Sequence, residues 1–173
     1  LGGDYAYAVL AHEFQHMIHW NNDLNETSWL NEGSSELAVL LNGYETGGFD
    51  TLYISDPDLQ LNDWPNDQGA TSPHYGAGFL FMTYFLDRFG EEATQALVKD
   101  PANGLDSVDD VLQQIGATDK LTGQPITADD FFMDWALTNL LLDPSIADVP
   151  MAVLPESGGQ PVVMRHQIAV ASS

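Results

Sequence analysis

The chain has 173 residues, 44% of them hydrophobic, which suits one packed domain that buries roughly two thirds of its unfolded surface. Twenty-six acidic residues against four basic ones leave a formal net charge of −22. With no basic surface to displace phosphate counterions, nucleic acid is excluded as a partner, and anionic membrane surfaces are disfavoured for the same reason.

The chain has no cysteine, so disulfides and thiolate metal sites are excluded, and any zinc must be held by His, Asp or Glu. Aspartate outnumbers glutamate 18 to 8. That acidity reads as a solvated surface suited to a secreted or extracellular protein, with scattered Ca2+ ligands as the alternative. No apolar run is long enough to span a bilayer, and nothing resembles a signal peptide. The abrupt opening "LGGDYAYAVLAHEF" leads us to expect a piece cut from a longer protein.

Apolar residues at 5, 7, 8, 9, 10, 14, 17 and 18 fall mostly at helical spacing and predict a first helix from Tyr5 to His19 with Asp4 as its N-cap. "NNDLNET" interrupts it. A second helix is predicted from Ser28 to Asn42, capped by Thr27 or Ser28 and stopped by Gly43. Residues 43 to 73, rich in Gly, Pro and Asp, read as a long irregular loop, and loops of that length are usually functional. Helices follow over "HYGAGFLFMTYFLDRFG", ending at Gly90, then over "EEATQALVKD", "DSVDDVLQQIG" and "TADDFFMDWALTNLLL". The aromatic residues of the last read as core packing. Residues 160 to 171 alternate like a strand. The domain is therefore expected to be mainly helical over residues 1–155, with a strand-like tail over 156–173 leading to a following region.

Three of the five histidines lie in "AHEFQHMIHW". His12 and His16, four residues apart on a helix, project from one face about a turn apart, and two imidazole nitrogens can then meet one zinc. Glu13, beside the first, is placed to take a proton from water as general base, as in the His-Glu-x-x-His pattern. A catalytic zinc needs a third protein ligand. His19 shares the stripe but lies too far along the axis from a metal held between residues 12 and 16, so it is read as peripheral. A metzincin would need Gly at position 19 and His at position 22; this chain has His19 and Asn22, which excludes that class.

"WLNEGSSELA" supplies the missing ligand. Glu32 falls near the start of the second helix, and the turn from residue 20 to 27, about 26 Å when extended, lets the two helices lie side by side. Glu36, one turn further on, is placed to accept a hydrogen bond from the back nitrogen of a ligating histidine and fix its tautomer.

"HEFQH" followed by "WLNEG" and a further Glu resembles the gluzincin metallopeptidases, the superfamily of thermolysin and aminopeptidase N, and most of all its hyicolysin-type peptidases. The likeness rests on residues 11 to 38. It implies His12, His16 and Glu32 as ligands of one catalytic Zn2+, Glu13 as base, and a zincin-like (thermolysin-type) helical catalytic domain. That domain would be the C-terminal part of an α+β peptidase unit whose β-rich part lies upstream. The chain departs from thermolysin and the aminopeptidases in having fewer residues between the second histidine and the glutamate, so its turn must be tighter. "SPHYGAGFLFMTYFLDRFG" resembles the aminopeptidase segment in which a Tyr three residues before a Gly donates to the oxyanion. That match implies Tyr75 as donor, Gly78 as a site of close helix packing, and His74 as the other candidate donor.

The expected activity is that of a zinc-dependent metalloendopeptidase acting on protein or peptide substrates. Two alternatives stay open: a zinc aminopeptidase of the same superfamily, and a non-catalytic acidic Ca2+-binding or adhesion module with a vestigial metal site. "DPDLQLNDWPND" carries many carboxylates and amides but lacks EF-hand spacing. Asn25-Glu26-Thr27 is formally a glycosylation sequon, and His166 reads as structural.

Overall fold

The computed structural model describes residues 3–119 and 122–141. The strand-like tail, His166 and the expected boundary at residue 155 lie outside them. Within them the chain is mainly helical: α1 (Asp4–Asn22), α2 (Ser28–Leu41), α3 (Phe49–Ser55), α4 (Ser72–Leu97), α5 (Leu105–Gln114) and α6 (Ala128–Leu141), with a short 3-10 turn at Gln68–Ala70. Among the described residues, one isolated antiparallel bridge pairs Thr118 with Pro125. No helix among them is long and apolar enough to cross a membrane.

Several boundaries differ from expectation. Gly3, not Asp4, occupies the N-cap of α1, and Asp4 sits in the first turn, where its charge meets the positive end of the helix dipole. Helix α1 continues to Asn22, which shortens the connection to α2 to residues 23–27. Thr27 does cap α2, but without a side-chain bond to the helix; its hydroxyl donates to Glu26 Oε1 at 2.8 Å instead. Past α2, Gly43 turns the chain with φ +80°, a conformation that favours glycine at a helix end.

The expected loop from 43 to 73 contains α3. Seven residues are too few for a helix stable by its own propensity, and α3 is held by packing on α4. The approach is backbone to backbone: a Cβ on Gly76 would stand 2.1 Å from the Phe49 carbonyl oxygen. The two helices expected on either side of Gly90 join as α4, bent where Gly90 leaves helical geometry at φ 81° and ψ 180°.

The core lies among α2, α4, α5 and α6. Trp29 meets Phe81 edge to face at 5.2 Å, Phe81 meets Phe131 at 5.0 Å, and Leu30, Phe85, Val108 and Val111 fill the space with no exposure. Burial of such side chains supplies most of the folding free energy. Helix α1 lies against α2 outside this core, and its apolar face points away: Tyr5, Leu10, Phe14 and Met17 are exposed, whereas Gln15, His16 and His19 are buried. The polar side of α1 is the buried one because α2 presents Asn31, Glu32, Ser35 and Glu36 to it, and a polar surface selects polar partners.

Candidate metal centre

Helix α1 and the first two turns of α2 bring His12, His16 and Glu32 together, with one potential ligand atom from each lying within 4.8 Å of the others. The Nε2 atoms of His12 and His16 are 3.0 Å apart. Glu32 Oε2 is 3.1 Å from the first and 3.3 Å from the second.

The opposite nitrogens of both rings are already engaged. His12 Nδ1 lies 3.0 Å from Glu36 Oε1, and His16 Nδ1 bonds the side-chain oxygen of Asn31 and lies 3.0 Å from Ser35 Oγ. Ser35 can accept there because its own proton has acceptors in Gln15 Oε1 at 3.0 Å and Asn31 O at 3.1 Å. A carboxylate and an amide oxygen accept only, so both Nδ1 atoms carry protons, and with no proton on Nε2 both rings would turn a lone pair toward the Glu32 oxygen. Three lone pairs converging on one point repel unless a cation sits among them. Bonds of about 2.0–2.1 Å in a tetrahedral zinc site separate ligand atoms by about 3.3–3.4 Å, close to the spacing here. The donor set, two imidazoles and a carboxylate, is one that zinc accepts.

In the metal-free chain, protons take over this balance. Burial lowers the affinity of His12 for a proton, but its hydrogen bonds to Glu32 and Glu36 outweigh burial and hold its pKa up at about 9. For Glu32, burial works upward, and the hydrogen bonds to His12 and His16 win, bringing it down to about 2. The metal-free cluster is thus an ion pair at neutral pH.

Glu13 stays exposed, next to His12 in sequence, and its charge acts on the Tyr75 hydroxyl together with those of Glu32 and Glu36. Tyr75, in the first turn of α4, brings its ring to 6.3 Å from the His12 ring. Phe49 at 5.2 Å and Trp64 at 5.1 Å pack against Tyr75. Burial, then the Glu32 carboxylate, pushes the Tyr75 hydroxyl up to about 12, so it keeps its proton as a donor at neutral pH. His74 is not among the clustered side chains: its ring lies 5.9 Å from Trp64 and is bonded to the Asp63 backbone, while burial lowers its pKa. His19 is outside the cluster, as its spacing predicted; it is buried, 1% exposed, and both its nitrogens lack a hydrogen-bond partner.

Four contributors were absent from the sequence reading. Asn31 and Ser35, spaced i and i+4 on α2, hold His16 as Glu36 holds His12, and the same helical spacing could have named them. Gln15 completes that chain of hydrogen bonds through Ser35. Trp20, one turn after His16, stacks on its ring at 5.5 Å and 11°.

Fold and site together define a mainly helical domain with a two-histidine, one-carboxylate cluster that a divalent metal fits. No family model, curated protein or solved structure matches the chain.

Proposed function

We propose that the chain is the catalytic part of a zinc-dependent metalloendopeptidase of gluzincin type with a zincin-like fold, acting on proteins or peptides in an extracellular medium. The observation that carries this reading is the convergence of the His12 and His16 Nε2 atoms on a Glu32 oxygen, with both Nδ1 atoms held from behind by Glu36 and Asn31.

Zinc, when bound by His12, His16 and Glu32, supplies Lewis acidity toward water and the scissile carbonyl. The Glu13 carboxylate takes the proton of the attacking water as the new C–O bond forms, and returns it to the amine nitrogen as the C–N bond breaks. The Tyr75 hydroxyl donates to the oxyanion that develops on the former carbonyl. Glu36, Asn31 and Ser35 keep the ligand rings in one orientation and one tautomer.

Metal analysis combined with peptide hydrolysis tests the reading. One zinc per chain, removed by phenanthroline together with the hydrolysis of an end-blocked peptide, is the expected result. Cleavage only of peptides with a free N-terminus would make it an aminopeptidase, and calcium without zinc would make it a binding module.

A further inference from the structure

We propose that this site takes cationic peptides, and that the flank built by Phe49, Asp63 and Trp64 engages a lysine or arginine side chain of the substrate. The proposal rests on the peptidase reading above.

The first support is charge. With zinc in place, its charge of +2 balances the carboxylates of Glu32 and Glu36, +2 − 2 = 0, and leaves two neutral imidazoles. The acids around them remain unbalanced. Glu13 acts on Tyr75, Asp63 acts on His74, and Asp50 follows Phe49, whose carbonyl is in contact with Gly76. Among the described residues the basic side chains are Arg88 and Lys99, and neither serves this region. Arg88 pairs with Asp134 and lies over the Phe89 and Phe131 rings at 5.5 and 5.8 Å, and Lys99 lines a groove with Ile18, Leu41 and Thr94. An unbalanced field of one sign raises the encounter rate of oppositely charged ligands, by about tenfold or more where it is focused.

The second support is the chemistry of the flank. Trp64 and Phe49 are both partly exposed and both pack on Tyr75, so they stand beside the proposed oxyanion donor. Asp63, next to Trp64, is exposed. An aromatic face that holds a cation within about 6 Å, with a carboxylate adjoining it, is the combination that receives a guanidinium or an ammonium. An acidic side chain there would meet Asp63 and Glu13 with like charge.

The test uses the zinc-loaded chain and three end-blocked, internally quenched peptides that differ only in carrying Arg, Met or Glu beside the scissile bond. At about 0.01 M ionic strength, where charges act over about 30 Å, kcat/KM for the Arg peptide should exceed that for the Glu peptide by about tenfold or more. At about 1 M, where the range falls to about 3 Å, the gap should shrink several-fold. Asp63→Asn should narrow the Arg-to-Glu ratio, lowering the Arg rate and raising the Glu rate relative to the Met peptide. Trp64→Ala should narrow the Arg-to-Met ratio, with Trp64→Phe restoring part of it. Equal rates for Arg and Glu at low salt, or a gap that neither salt nor Asp63→Asn changes, would overturn the proposal while leaving the peptidase standing. Failure of the zinc-loaded chain to cleave any of the three would overturn both.

Discussion

Gly33 of α2 and Gly78 of α4 meet backbone to backbone. A Cβ on Gly33 would stand 2.5 Å from the Gly78 carbonyl carbon and oxygen, and a Cβ on Gly78 would stand 2.5 Å from the Trp29 carbonyl oxygen. The contact lies one residue from Glu32 and three from Tyr75, so it bears on how near the Glu32 carboxylate and the Tyr75 phenol can come.

Substitution at this crossing should therefore damage both stability and metal binding. Alanine in a helix gains up to about 1 kcal/mol over glycine, but forcing a methyl against rigid backbone costs typically about 1–3 kcal/mol and sometimes more. The clash should win. Chemical denaturation of Gly33→Ala and Gly78→Ala should show a net loss of stability, and zinc affinity should fall with it; wild-type values for both would mean that the helices are not in contact there.

Glu13 touches no ligand ring in the hydrogen-bond network, so its loss should separate binding from chemistry. We expect Glu13→Gln to keep one zinc per chain with near-normal affinity and to lose hydrolysis by a factor of at least about 100. Retained turnover in that variant is the result that would remove Glu13 from the mechanism.

The residues behind the ligands should matter through the metal rather than through the substrate. Glu36→Gln and Asn31→Ala each remove an acceptor that orients a ring, and each should weaken zinc binding by about 10- to 100-fold in chelator competition. Glu32→Ala, which removes a ligand outright, should do more than either. An affinity unchanged in Asn31→Ala would show that Ser35 alone holds His16.

Buried His19 gives the chain an acid-sensitive point. Burial lowers its pKa below 6.5, so the unfolded chain binds a proton more readily than the folded one, and stability on account of His19 is lost as pH falls through 6.5. His12 runs the other way in the metal-free chain, contributing fully below 6.5 and losing that contribution as pH rises toward 9. Comparison with His19→Leu isolates the first effect. The melting temperature of the metal-free variant should gain on that of the metal-free wild type progressively below about pH 6.5, and parallel pH profiles would contradict it.

The clustering of the two histidines was legible because its information is local. His12 and His16 need only a helix and a spacing of four, and the same holds for Glu32 and Glu36 once the second helix is placed. Helix α3 was not legible. Its seven residues have no strong periodicity and are helical because α4, pared to glycine at residue 76, admits their backbone. Which side of α1 is buried was not legible for a related reason. Apolar periodicity identifies a helix, but which stripe is buried depends on what the neighbouring helix offers.

Residues 11 to 38 by themselves thus specified which side chains gather, His12, His16, Glu32 and Glu36, their order along two helices and the acidity in which they stand, because spacing on a helix and charge are properties of the chain. Tertiary structure decided the rest. It set the 3.0–3.3 Å convergence of two nitrogens and an oxygen, the tautomers held by Asn31 and Glu36, and the aromatic flank that carries Tyr75 to His12. Each of these is a distance between segments far apart in sequence, and such distances follow from how closely helices pack, here through Gly33, Gly76 and Gly78.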